Sequence, residues 1–292
     1  GSETEDLNEL IHKAEQVMYT ERRKYAMRGG CRPRRPGRPE YLDGLLREFR
    51  ESEFVVYLQP LYGVKQNAVI GAEALVRKID EDGSVHAPFE FVHMMEEENL
   101  ISVVDYEMLE QSCRLLKEVG EHWPGFQLSC NMSRNTLAEL DYLDRIDDIL
   151  KRTGVDHSQL TFEVTESSRG LQLESIEDRL NALKARGIAV AVDDMGTECS
   201  CLEMLYLPQL DLVKIDRSLI SKANHGPREQ AVIGSLIDLC HKLGLGCIAE
   251  GIETKEQGQL LKNLGCDRLQ GYYYGRPMPP EEFFARFGPG AK

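Results

Sequence analysis

Eight apolar, β-branched runs alternating with helical patterns constrain the fold of this chain more than any other feature. The runs are FVVYLQPLY (54–62), AVIGAEALVR (68–77), FQLSCNMS (126–133), LTFEVTES (160–167), GIAVAVDD (187–194), LDLVKID (210–216), LGCIAEGIE (245–253) and RLQGYYYG (268–275). Runs this continuously apolar suit strands buried on both faces, as in parallel sheets. Most gaps between them carry helical spacing, as in LEMLYL, EQAVIGSLIDLCHKLG and KEQGQLLKNLG, the last two closing on glycine as a helix stop. Alternation over roughly 250 residues predicts an α/β fold, a TIM-like (β/α)8 barrel. The first two runs are joined only by the short GVKQN turn, so the barrel is expected to start with one antiparallel strand.

Upstream of the barrel, Leu7, Leu10, Ile11, Ala14, Val17 and Met18 fall at helical spacing with charges opposite. The expected organisation is an amphipathic helix over 1–28, a GGCRPRRPGRP linker over 29–40 and the barrel over 41–292. The helix reads as the tail of a preceding domain or as a connector. A formal net charge of -14 argues against a nucleic-acid polymer or an anionic membrane surface as partner, since either needs an excess of Lys and Arg. No run approaches the roughly 20 apolar residues of a spanning helix, and the polar N-terminus lacks a signal-peptide core. A cytoplasmic location is therefore expected for this segment, although upstream domains of a longer chain could tether it to a membrane. The eight cysteines are dispersed, which predicts reduced thiols rather than a disulfide frame. A zinc reading of Cys199-x-Cys201 would want a second pair of ligands at suitable spacing, so two small loop residues is the stronger reading.

Nearly every strand-like run carries a polar residue at or near its C-terminal end. They are Glu73, Asn131, Glu163 with Glu166, Asp193 with Asp194, Lys214 with Asp216, Glu250 with Glu253, and Gln270. In a barrel those ends converge on the face where sites are built. Any one of them could be a strand-end cap, but a whole ring of polar residues in buried strands is costly unless paired or coordinated. Glu73, Asn131, Glu163, Asp193 and Asp194 offer oxygen donors, which suits Mg²⁺ or Mn²⁺ better than zinc. Adjacent aspartates permit a two-metal arrangement for in-line attack on a phosphodiester, and Lys214 suits a cation that positions water or neutralises charge developing on phosphorus.

The Glu73-Ala74-Leu75 triplet, followed in order by NMS, FEVTES, VDDMGT, VKIDRSL, AEGIE and LQGYYYGRPMP and preceded by YLQPL, resembles an EAL domain over residues 41–287. That family comprises bacterial phosphodiesterases that open cyclic di-GMP to linear pGpG on a (β/α)8 barrel with one antiparallel strand. The resemblance implies two ions, Mg²⁺ or Mn²⁺. One is held by Glu73, Asn131, Glu163 and Asp193, with Asp193 shared and Asp194 on the second. It implies Lys214 at the nucleophilic water, with Glu250 and Gln270 completing the metal and water shell. Glu73, Asp194, Lys214 and Glu250 are thus the expected catalytic set. Gln59, Arg77, Gln270, Asp216 and Glu253 are the expected substrate-side residues, with Arg77 on a phosphate, and Glu166 resembles the anchor of the loop after the aspartates. A homodimer is a further implication. The stretch LIHKAEQVMYTERRKYAMR is similar to the last helix of GGDEF domains, which implies an upstream GGDEF-like or sensor domain in a longer chain.

The loop after the aspartates departs from the family's usual Asp-Asp-Phe-Gly-Thr-Gly-Tyr-Ser-Ser-Leu. Met195 for phenylalanine keeps an apolar plug. Glu198 for glycine adds a Cβ that costs roughly 1 kcal/mol where φ is positive, and Cys199 replaces tyrosine. Lys78 stands where the family often has tryptophan. This loop leaves open an alternative role as a weak or silent cyclic di-GMP receptor or protein-interaction module. A different cyclic dinucleotide is a third possibility, because a metal site sees only phosphate.

Overall fold

The computed structural model describes residues 53–97, 100–165, 173–196, 204–222 and 226–290. The expected helix and linker over 1–40, the anchor Glu166, and Glu198, Cys199 and Cys201 lie outside the described residues. The described residues divide into two compact units, one containing Lys78–Met95 and the other containing Phe54–Arg77 with the described residues from Glu96 onward.

The larger unit is a closed barrel. Its strands are β1 (Glu53–Gly63), β2 (Ala68–Ile79), β4 (Gln127–Asn131), β5 (Leu160–Thr165), β6 (Ala189–Met195), β7 (Leu212–Ile215), β8 (Gly246–Ala249) and β9 (Arg268–Leu269), with the two-residue β3 (Val85–His86) outside the ring. Their order is β1-β9-β8-β7-β6-β5-β4-β2, and pairing of β1 with β2 closes the ring. Every neighbouring pair from β2 through β4 to β9 is parallel, whereas β1 runs antiparallel to β9. The single antiparallel strand of the ring is thus the one that the GVKQN turn predicts.

Strands this short pack a barrel interior in layers, because alternate side chains point inward. Leu61, Ala191, Leu212 and Ile248 form one such layer with Ile70 against it. Two residues further toward one end of the barrel stand Gln59, Asp193 and Lys214 on the same strands and Glu250 just after β8. The period of two therefore converts an apolar floor directly into a polar rim.

Helices cover the outside where their apolar faces match. In α2 (Ile101–Gly120), the residues Ile101, Val104, Met108, Leu109, Cys113 and Leu116 are buried, the i, i+3, i+4 stripe of a core-facing helix. The preceding α1 spans Val92–Glu97, α3 spans Arg134–Ala138, and α4 (Tyr142–Thr153) ends on Gly154 in the left-handed conformation at φ 62. Around the second half follow α5 (Leu173–Lys184), α6 (Arg217–Ile220), α7 (Pro227–Lys242), α8 (Lys255–Asn263) and α9 (Pro280–Phe287). Thr254 and Gln257 form a reciprocal capping box at the start of α8. Of LEMLYL, the described part is Met204 followed by a turn in which the Leu207 amide donates to the Met204 carbonyl at 3.0 Å.

One expected strand is much shorter than its sequence run. RLQGYYYG is extended only over Arg268–Leu269, because Gly271, at φ 155, lies against the backbone of Ile252. A Cβ there would sit 2.2 Å from the Ile252 nitrogen. The Ile252 amide donates to the Gln270 carbonyl at 3.1 Å, and the chain then turns through Tyr272–Tyr274.

In the smaller unit, β3 pairs with the end of β2, Lys78 opposite His86 and Ile79 opposite Val85. Lys78 Nζ lies 3.1 Å from Asp80, so the residue in the family's tryptophan position makes an ion pair. His86 is held between Asp80 at 2.7 Å and Glu90 at 2.8 Å, and these carboxylates raise its pKa, the Glu90 hydrogen bond most.

Candidate active site

The residues at the C-terminal ends of the strands meet around one ammonium group. Lys214, on β7, is 1% exposed. Its Nζ lies 2.7 Å from Glu250 Oε1, 3.2 Å from Asp193 Oδ1 and 3.3 Å from Glu73 Oε2, and it donates a short hydrogen bond to Glu163 Oε2. Five strands or strand ends supply these groups, since β2 carries Glu73, β5 Glu163, β6 Asp193, β7 Lys214, and Glu250 follows β8.

Amides fix the carboxylates. Asn131 Nδ2 donates to Glu73 Oε1 at 2.9 Å, and Gln270 Nε2 donates to Glu73 Oε2 at 2.6 Å. Gln270 also reaches Gln59 Oε1 at 3.2 Å, while Gln59 Nε2 donates to the Gly275 carbonyl at 3.3 Å. The parallel register sets Asn131 beside Glu163 on adjacent strands.

The paired aspartates depend on an irregularity. Val192 pairs with Val213, but the next partner of β7 is Met195 with Ile215, so β6 carries an extra residue at Asp193–Asp194. Such a bulge re-aims a side chain and releases consecutive residues from strict alternation between faces. Asp194 takes φ 60, a left-handed conformation that short polar side chains tolerate best, and its amide donates to Asp193 Oδ1 at 2.8 Å. Gly196 follows at φ 105, and a Cβ there would come within 2.3 Å of Leu219, so glycine is required.

The electrostatics of the cluster are unbalanced. Burial lowers a lysine pKa, but Asp193, Glu163, Glu250 and Glu73 outweigh it and hold Lys214 well above its usual value. Burial likewise raises Glu73, yet the Lys214 charge with the Asn131 and Gln270 hydrogen bonds brings it below the usual carboxylate range. For Glu163 burial wins, aided by the charge of Glu73, and lifts it to about 8. Burial also pushes Glu250 well up, over the opposing pull of Lys214. Four carboxylates thus share one ammonium, a surplus of acidic groups that further positive charge would relieve. Together with Asn131 they form an oxygen-rich donor set that fits a hard divalent cation.

Other expected site residues have different surroundings. Arg77 lies over the Tyr57 ring at 5.3 Å and donates from Nη1 to the Val76 carbonyl at 2.7 Å. Asp216 is buried, and its Oδ1 accepts from the Ser218 amide at 2.8 Å as the N-cap of α6. Glu253 is at the rim, 3.6 Å from Arg217.

The family model that describes the EAL domain matches residues 43–277. The chain belongs to the EAL domain family. This EAL chain is 32% identical over 280 residues to Signaling protein YkoW of Bacillus subtilis, which covers 94% of the chain and 35% of that relative. It is 30% identical over 239 residues to the cyclic di-GMP phosphodiesterase RocR of Pseudomonas aeruginosa, covering 82% of the chain and 61% of RocR. With the bifunctional diguanylate cyclase and cyclic di-GMP phosphodiesterase MucR of the same organism, identity is 31% over 84% of the chain and 36% of MucR. The EAL chain therefore spans about a third of the length of YkoW and MucR. The solved PaMucR phosphodiesterase in complex with c-di-GMP superposes with a TM-score of 0.75 at 30% identity, over 84% of this chain and 99% of that one. The EAL enzyme Bd1971, at 24% identity, shares the fold with a TM-score of 0.80 over 95% of this chain and 76% of its own. No helix among the described residues is long and apolar enough to cross a membrane.

Sequence reasoning missed one supporting residue of this EAL site. Asp105 is a buried carboxylate on α2 that accepts from Thr136 Oγ1 at 2.5 Å and from the Ser133 amide at 2.9 Å, fixing the segment just after Asn131. Its signal was an acid on the apolar stripe, four residues after Ile101 and three before Met108. Burial raises Asp105 to about 6, against the opposing hydrogen bonds. A carboxylate raised above its unfolded value of 3.8 stabilises the fold while protonated, and that contribution is lost as pH rises through the folded value. Asp105→Asn keeps an acceptor and removes the charge. Its stability relative to wild type is expected to improve by up to about 3 kcal/mol between roughly pH 4 and pH 6. Denaturant melts of both proteins at each pH check this, and parallel stability curves would refute it.

Proposed function

We propose that this EAL domain is a cyclic di-GMP phosphodiesterase that opens one phosphodiester to give linear pGpG. The observation that carries the reading is the convergence of Glu73, Glu163, Asp193 and Glu250 on the Lys214 ammonium at the barrel's C-terminal rim. Membership of the family, with named cyclic di-GMP phosphodiesterases among the relatives, supports that substrate over another cyclic dinucleotide.

Glu73, Asn131, Glu163, Asp193 and Asp194 would hold Mg²⁺ or Mn²⁺, two ions in our reading. Bound there, the cations supply Lewis acidity and lower the pKa of a coordinated water. The protein's own groups do the rest. Lys214 stays protonated and offers fixed positive charge where negative charge grows on the phosphoryl oxygens. Gln270 and Asn131 hold Glu73 in one orientation, and Gln59 in turn orients Gln270, so the rim is preorganised before substrate arrives. Burial keeps competing water away from these charges, which strengthens each interaction. Arg77 at the barrel mouth suits a phosphate by its planar guanidinium.

Removing divalent cations with a chelator is expected to stop conversion of cyclic di-GMP, and adding Mg²⁺ or Mn²⁺ to restore it. Calcium, which prefers looser shells of six to eight oxygens, is expected to restore little. Chromatography of the nucleotide products checks both points. Tight nucleotide binding without product under every cation would instead assign the chain a receptor role.

A further inference from the structure

At the opposite end of the barrel from the acidic rim, three donors of different chemistry converge. Asp267 directly precedes β9, Cys247 is the second residue of β8, and His241 lies in the last turn of α7. Their donor atoms, an imidazole nitrogen, the thiol sulfur and a carboxylate oxygen, all lie within 4.8 Å of one another. The placement follows from two short connections, α7 to β8 and α8 to β9, which drop neighbouring strands beside the same helix end.

The surroundings hold the donors in place. Asp267 Oδ2 accepts from the Cys247 amide at 2.9 Å and lies 2.8 Å from His241 Nε2. Cys247 is fully buried, whereas the side chains of His241 and Asp267 are 40% and 29% exposed, so the cluster is reachable from solvent on one side. Two more thiols adjoin it. Cys240 shares a hydrogen bond with the Cys247 thiol, and Cys266 Sγ lies 3.6 Å from the Cys247 carbonyl. Nothing in the proposed phosphodiester chemistry uses any of these groups.

We propose that His241, Cys247 and Asp267 form a binding site for a zinc-like divalent ion, separate from the oxygen-only rim. Nitrogen, thiolate and carboxylate donors together favour a borderline-soft ion, whereas the rim favours a hard one, so the two ends of the barrel select different metals. Binding converts the Cys247 thiol to a thiolate and releases its proton to solvent. The imidazole presents the Nε2 lone pair with its proton on Nδ1, and the Asp267 carboxylate exchanges its contact with the ring for one with the ion. Histidine, thiolate and carboxylate then neutralise the dication, and the exposed side leaves a position for water. The ion would tie the end of α7 to the starts of β8 and β9. The C-terminal ends of those two strands lead into Glu250 and Gln270, roughly 10 Å away along a four-residue strand. The site therefore clamps the elements that present the rim.

Cobalt is the probe, since the all-oxygen rim cannot give a thiolate-to-cobalt charge-transfer band. The reduced full chain, stripped of metal and supplied with excess Mg²⁺ to fill the rim, is titrated with Co²⁺ and then Zn²⁺. A charge-transfer band that saturates at a single equivalent, bleaches with Zn²⁺, and accompanies a higher thermal midpoint is the expected result. His241→Ala, a partly exposed helix position, is expected to remain folded by circular dichroism and to weaken cobalt binding by at least about tenfold. Cys247→Ser is expected to lose the band, and if it fails to fold, His241→Ala decides alone. Absence of the band in the wild-type chain, or identical cobalt binding by His241→Ala, overturns the proposal. Neither outcome bears on cyclic di-GMP turnover in Mg²⁺, which is measured separately.

Discussion

Lys214→Met is expected to lower cyclic di-GMP turnover by roughly 10²- to 10⁴-fold. Methionine keeps most of the aliphatic length and removes only the ammonium. That ammonium is the shared partner of Glu73, Glu163, Asp193 and Glu250, and no added ion occupies the same position with the same donor geometry. Breaking a buried ion pair by deleting one partner costs about 3–5 kcal/mol, so the chelated variant is also expected to unfold at a lower temperature than chelated wild type. Added Mn²⁺ is expected to recover more of the stability than of the activity, because charge balance is replaceable and the directed hydrogen bonds of Lys214 are not. Steady-state assays and thermal melts, each with chelator and with Mn²⁺, check the two effects together. Turnover within about tenfold of wild type would remove Lys214 from the chemistry.

The second large effect is at Glu73. It accepts from Asn131, Gln270 and Lys214, so Glu73→Ala removes one acceptor from each of three donors and a charge from the cation-binding set. Loss of more than about 10³-fold in kcat/KM is expected, with weaker apparent affinity for Mn²⁺. Glu73→Gln separates charge from shape, since it retains size and one acceptor oxygen. If charge is what matters, the glutamine variant is nearly as inactive as the alanine variant while melting closer to wild type. An alanine variant keeping a tenth or more of the wild-type rate contradicts the central place given to Glu73.

Much of this site was legible in the sequence, for a reason that the barrel makes concrete. Strand side chains alternate, so an apolar residue in the barrel floor predicts the facing of the residue two positions on. Leu212 with Lys214, Ala191 with Asp193 and Ile248 with Glu250 obey that rule. A polar residue closing an apolar run is therefore a rim residue, and the antiparallel start was equally readable from a turn too short for a crossover. Three features were not readable. The bulge at Asp193–Asp194 depends on the register of β6 against β7, which no local pattern encodes. The early end of β9 comes from the approach of Gly271 to Ile252, a contact made between loops after two different strands. Asp105 looks like an interruption of a helix stripe until the Ser133 amide and the Thr136 hydroxyl are placed against it. The cysteines show the same limit. Cys240, Cys247 and Cys266 are separated in sequence by helix and strand, and only the docking of α7 on β8 and β9 gathers them.

The most direct test of the hydrolytic reading is turnover of cyclic di-GMP by the wild-type chain in oxygen-18 water, with mass spectrometry of the nucleotides. The expected result is linear pGpG carrying one solvent oxygen on its newly formed phosphate, produced with Mg²⁺ or Mn²⁺ and absent after chelation. Recovery of intact cyclic di-GMP with either cation across the neutral and mildly alkaline range would contradict it.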